Sequence, residues 1–190
     1  MAARYMKTVL TPSVLEAETH YYGRTYPTFD NAPEVDDLRT EERNFIAQRD
    51  SFFMATVTED GWPYLQHRGG PKGFLRTITP NRIGFADYGG NRQMISVGSI
   101  ASNDRISLFL IDYPQRQRLK ILGHAKVLDA REHPEMSEIM APPGGHGSVP
   151  ERYFVIDVLS YDWNCPKFIT PRYTLEEMRD LIEADASMQS

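Results

Sequence analysis

Between residues 51 and 163 apolar and polar positions change over with the short period of extended chain, and turn residues break the pattern every few positions. A mostly apolar run at 52–57 is followed by Glu59-Asp60-Gly61, the Asp-Gly signal of a tight hairpin, and 62–68 is read as its antiparallel return. The segments 74–78 and 82–87 form a second hairpin around Thr79-Pro80-Asn81, and 104–111 and 117–128 form a third around 112–116. A last strand, 152–163, follows a helical piece at 133–140 and a Pro/Gly loop at 142–147. Short strands joined by close hairpins predict an antiparallel sheet closed into a small barrel or sandwich. No strand-helix-strand alternation is present, which disfavours a Rossmann fold.

The flanks follow a different pattern. Thr11 is placed to cap a helix with Pro12 at its first position and Gly23 as its stop. Residues 24–33 carry turn punctuation without an apolar period and read as an extended arm. Thr40 is expected to cap a second helix carrying Phe45 and Ile46 and ending near Asp50. Thr174-Leu175-Glu176-Glu177 is a capping box that opens a last helix to about Ala184. The predicted organisation is a helix and arm at 1–40, one domain at 41–173, and a helix and tail at 174–190. The fold class is mainly β, a β-barrel with flanking helices.

Composition narrows the function. With 190 residues, 41% hydrophobic and 25% charged, the chain reads as a single soluble domain. Its mean hydropathy of -0.48 leaves no run able to cross a bilayer, and the first seven residues lack a signal-peptide core, so a cytoplasmic protein with no membrane partner is expected. Cys165 is the only cysteine and is read as a packed side chain. The five histidines lack ligand spacing, so no metal site is expected. The net charge is -5, yet nine of the 21 basic residues and three of the 26 acidic ones fall between 68 and 120. A basic centre in an acidic chain favours a compact anionic ligand over nucleic acid.

Three places could hold that anion. Gln66-His67-Arg68 ends a strand ahead of the turn Gly69-Gly70-Pro71-Lys72-Gly73, where glycines allow close approach and Arg68 and Lys72 offer charge-assisted hydrogen bonds to phosphate. Within Gly89-Gly90-Asn91-Arg92-Gln93, Asn91 is placed to cap a helix through Met94, Ile95 and Val97, turning free N–H groups toward whatever Arg92 contacts. Arg116, Arg118 and Lys120 alternate and are expected to share one strand face.

The runs 61–75, Gly90-Asn91-Arg92-Gln93, Arg118-Leu119-Lys120-Ile121-Leu122-Gly123 and Asp162-Trp163-Asn164-Cys165-Pro166 together resemble the pyridoxamine 5'-phosphate oxidase-like flavoproteins, and within them a bacterial branch of FMN-binding proteins. The resemblance spans about 40–173. It implies an FMN-binding split β-barrel, a homodimer with flavin at the subunit interface, and a small-molecule substrate, with NADH or NADPH as candidate donor and no nucleic-acid partner. By position, Gln66, His67 and Arg68 would line the ring and ribityl chain. Arg92 and Gln93, beside Asn91, would hold the phosphate, and Lys72 adds charge nearby. Arg118, with Lys120 as a weaker candidate, would reach the flavin from the partner chain. Arg118, or failing it Arg68, would supply positive charge near the ring. No general acid or base stands out. The implied activity is FMN-dependent oxidoreduction; the alternatives are a flavin carrier or sensor without turnover, or a relative holding haem or a deazaflavin. Two departures count: 174–190 replaces the Trp and Arg-containing end of the true oxidases, which disfavours vitamin B6 as substrate, and Lys167-Phe168 stands where the branch has Gln-His.

Overall fold

The protein is described from a computed structural model covering residues 2–145 and 147–188; His146, in the loop read at 142–147, lies outside the described residues. In chain order the elements are α1 (Ala3–Val9), α2 (Pro12–Tyr22), α3 (Thr40–Ala47), β1 (Ser51–Val57), β2 (Pro63–Gly69), β3 (Arg76–Thr79), β4 (Arg82–Asp87), α4 (Ile95–Ser102), β5 (Arg105–Asp112), β6 (Gln117–Asp129), α5 (Met136–Met140), β7 (Arg152–Asn164) and α6 (Leu175–Met188). Among the described residues no helix is long and apolar enough to cross a membrane.

The strands form one antiparallel sheet in the order β2-β1-β5-β6-β7-β4-β3. Alternate side chains point inward: Phe52 and Met54 from β1, Leu108 and Leu110 from β5, Leu119 and Ile121 from β6, all at most 1% exposed. β7 departs from alternation because both its faces are covered. Phe154 and Ile156 enter the main core, while Tyr153 and Val155 pack with Met140 of α5 on the other side. That explains why 153–156 reads as an unbroken apolar run.

The sheet coils until its ends approach one another. Four strands separate β2 from β4 in the ladder order, yet Arg68 of β2 reaches Asp87 at the end of β4 at 3.5 Å. Among the described residues no ladder joins β2 to β3 or β4, so the barrel is split along this line.

The local capping signals hold at some helix ends and are displaced at others. Gly23 takes the left-handed conformation expected of a C-cap, at φ 64°. The Thr174 box forms reciprocally, with the Glu177 N–H donating to Thr174 Oγ1 at 3.2 Å and the Thr174 N–H to Glu177 Oε2 at 2.7 Å. At α3 the cap is Arg39 rather than Thr40, because Glu42 reaches back to accept the Arg39 N–H at 2.9 Å; the helix stops at Ala47. α1 carries no clear sequence signal and forms against β7, burying Tyr5 and Met6.

Glu42 also fastens α3 to the sheet. It is 3% exposed and accepts the Trp163 indole N–H at 2.7 Å. Burial, and then the Glu42 charge, push the neighbouring Tyr161 phenol up to about 12. Glu42→Ala leaves that indole donor and the α3 amide without their acceptor. A loss of about 2 kcal/mol is expected in urea unfolding, and a midpoint equal to wild type would show that water replaces the carboxylate at no cost.

Candidate functional site

The split between β2 and β4 opens into a cleft of about 160 Å³. β2 contributes Tyr64, Gln66 and Arg68 on one face. Asp87 comes from the end of β4, Tyr88 and 90–94 from the β4–α4 loop, Ser96 and Val97 from the first turn of α4, Glu151 from the residue just ahead of β7, and Arg152 and Phe154 from β7 itself.

Arg68 sits over the Phe154 ring at 5.2 Å and the Phe85 ring at 5.9 Å. Its Nη1 faces Asp87 at 3.5 Å, and its buried Nε has no hydrogen-bond partner. Burial lowers the Arg68 pKa, partly offset by Asp87. Burial likewise raises that of Asp87, against the opposing pull of Arg68 and Arg152. Arg152 is opposite Asp87 in the β4–β7 ladder, reaches its Oδ2 at 3.2 Å and also pairs with Glu151. The Tyr64 hydroxyl donates to Gln66 Oε1 at 2.6 Å, which leaves the Gln66 amide N–H groups to face the cleft.

The loop ahead of α4 is bent by two left-handed residues, Arg92 at φ 58° and Met94 at φ 56°. Asn91 is not the helix cap. Its Oδ1 instead accepts the Gln93 N–H at 3.2 Å, folding a turn that delivers the chain to Met94, the residue at the N-cap. The N-terminus of α4 is thereby brought to the cleft. Ser96 there is 3% exposed and its Oγ lacks a partner.

Gln66, Arg68, Asn91, Arg92 and Gln93 thus come together. His67 does not join them, because strand alternation turns it to the outer face, where it packs edge-on to Phe53 at 5.6 Å. Lys72 lies exposed in the turn after β2 and is not among the residues that line the cleft. The glycines of that turn serve packing: a β-carbon on Gly70 would lie 2.7 Å from the Phe74 ring, and Gly73 sits at φ 79°. The row of three cations on one strand is also not realised. Arg116 is in the turn at φ 53°, and Arg118 donates to the carbonyl oxygen of Cys165, whose side chain is exposed rather than packed. Lys120 pairs with Asp162 at 3.2 Å and lies over the Tyr5 ring at 4.6 Å, so α1 covers it.

Cleft residues that sequence reasoning did not single out include Tyr64, Asp87, Tyr88, Ser96, Glu151, Arg152 and Phe154. Tyr64 was within reach, since it shares the i, i+2, i+4 face with Gln66 and Arg68. Arg152 required the register that sets it opposite Asp87 from 65 residues away.

A coiled antiparallel sheet left open along one edge, with a polar cleft in that edge, is a split barrel. Residues 38–161 match the family described as pyridoxamine 5'-phosphate oxidase, and the chain belongs to that family. Solved structures with the same fold include HupZ of Group A Streptococcus, at 14% identity and a TM-score of 0.53, covering 72% of this chain and 98% of that one. Another is Rv2991 of Mycobacterium tuberculosis, described as a conserved hypothetical protein, at 13% identity and a TM-score of 0.51, covering 75% and 94%. A search of the curated proteins found no match.

Proposed function

We propose that the protein binds FMN in this cleft and works as an FMN-dependent oxidoreductase on a small molecule. The observation that carries the reading is the pair of buried, unpartnered polar groups, Arg68 Nε and Ser96 Oγ, on either side of a cleft that also holds Arg92 and the N-terminus of α4. Unpaired buried donors cost free energy, and a phosphate supplies the acceptors they lack. Arg92, Ser96 and the α4 amides would hold the phosphate, while Gln66 and Tyr64 would meet the polar chain that leads to the ring. Family membership supports the same cofactor.

At about 160 Å³ the cleft is smaller than the roughly 300 Å³ at which small-molecule sites begin. The ring would therefore extend past its rim, and a second copy of the chain in a homodimer would complete the enclosure, with Arg118 as the candidate contact from that copy. When bound, the flavin supplies the redox chemistry. The chain's part is to fix its orientation and to place positive charge beside it.

The test is the visible spectrum of the purified protein, with mass analysis of what denaturation releases. Flavin bands with FMN in the supernatant are expected, as is reduction of the bound flavin by NADH or NADPH. A protein that neither carries nor takes up FMN would end this reading. Tight FMN binding with no reduction by either donor would favour a carrier.

A further inference from the structure

A second, larger hollow of about 920 Å³ adjoins the cofactor cleft, near the upper end of the usual size for small-molecule sites. Met94, Val97, Glu151 and Arg152 line both spaces, so the two share one wall. Arg152 stiffens that wall by donating to Met94 Sδ at 3.1 Å while it holds Asp87. Beyond the wall the floor is aliphatic and already part of the core, with Ile100 of α4 and Ala125 of β6 buried and Val127 packed beside them. Among the described residues that line the hollow there is no hydroxyl, no amide side chain and no aromatic ring.

What polar groups the hollow has are charged and committed to one another. Asp104 meets His124 Nδ1 at 3.0 Å, Asp129 is gripped by Arg131, and Glu151 pairs with Arg152. The hydrogen bonds from Arg131 hold the Asp129 carboxyl well below its usual range, at about 2, so it stays ionised and occupied. Lys126 borders the rim, but it is registered opposite Val155, so its side chain leaves β6 on the far face from Ala125 and Val127 and brings no charge to the floor. A carboxylate entering here would face the acids Asp104, Asp129 and Glu151, and an ammonium would have to draw one of them from its partner. An uncharged body leaves every pair intact and gains from burial against the aliphatic floor.

We propose that this hollow is the substrate side of the site and takes an uncharged, largely apolar molecule, its body lying along α4 and β6 and its reacting end at the Met94 wall beside the cofactor cleft. The assignment of the substrate side rests on the flavin reading above; selective binding of an uncharged molecule does not.

Calorimetric titration of the full-length protein with three probes that share one naphthalene body, 2-naphthaleneethanol, 2-naphthylacetate and 2-(2-naphthyl)ethylammonium, reads the charge preference. The alcohol is expected to bind at least about tenfold tighter than either ion. Ala101 is an exposed position on α4 that lines the hollow. Ala101→Lys adds an uncommitted cation there and should move the preference toward the acid, while Ala101→Trp fills the space and should weaken the alcohol by about tenfold or more. FMN is titrated separately by quenching of its fluorescence, and in the FMN complex the alcohol should shift the visible bands. If FMN binds but either ion binds as tightly as the alcohol, or no probe binds, the inference is overturned while the flavin reading stands; no binding is the result expected where a second copy covers the hollow. Selective binding of the alcohol, lost in Ala101→Trp, by a protein that takes no FMN supports the apolar site and removes the flavin reading along with the substrate assignment.

Discussion

Arg92→Ala is expected to weaken FMN binding by roughly 10- to 100-fold, the equivalent of about 1.5 to 3 kcal/mol for one charge-assisted contact to phosphate. The position itself makes the case. A left-handed backbone costs a residue with a β-carbon about 1 kcal/mol relative to glycine, and Arg92 holds φ 58° in an exposed loop with no core packing to enforce it. An arginine at a position that favours glycine points to a role for its guanidinium. Arg92→Gly therefore makes an informative companion: it removes the same contact while relieving the backbone, so affinity should fall as stability holds or rises. Arg92→Lys keeps the charge without the planar fork and should lie between. If FMN titrations of all three match wild type, Arg92 is not a phosphate ligand.

Phe154→Ala should be the most damaging single substitution in the site, at about 3 to 5 kcal/mol of stability. Phe154 is fully buried and stacks on Phe85 with centroids 4.8 Å apart and planes 6° from parallel. Its other role is to carry the Arg68 guanidinium on its face. Truncation thus opens a cavity in the core and unseats a cleft cation together. Phe154→Leu distinguishes the two effects, since it restores most of the volume but no aromatic face. Urea unfolding should show Leu recovering much of the loss, while FMN affinity stays reduced. Full recovery of affinity in the leucine variant would mean that Asp87 alone positions Arg68.

Much of the barrel was legible because local rules decide it. Hairpin turns, strand alternation and the Thr174 box act within a few residues, and the strand pattern over 51–163 matches the ladder closely. The errors arise where a partner distant in sequence decides. Arg39 became the α3 cap because Glu42, held by Trp163 of β7, reaches back to it. At the head of α4 the competitor was local instead: Asn91 spent its side chain on Gln93, two residues on, and Met94 took the N-cap. The cleft was half visible. Gln66, Arg68 and the 91–93 segment announce themselves by residue type, but His67 shares their stretch and faces away. Arg152 enters only through the pairing that sets β7 beside β4.

The open line between β2 and β4 has a mechanical meaning. At every other junction between the described strands the wall is fastened by rows of backbone hydrogen bonds, which cannot open one at a time without stripping a strand. Here it is fastened by a side-chain contact at 3.5 Å, the Arg68–Asp87 pair. A guest that touches Arg68 on one side and the β4–α4 loop on the other becomes the missing rung, and the barrel grips its ligand by being completed by it. Tight binding and a stiffer barrel would then be one event, and an empty molecule would breathe along this single edge while the β5–β6–β7 side stays still.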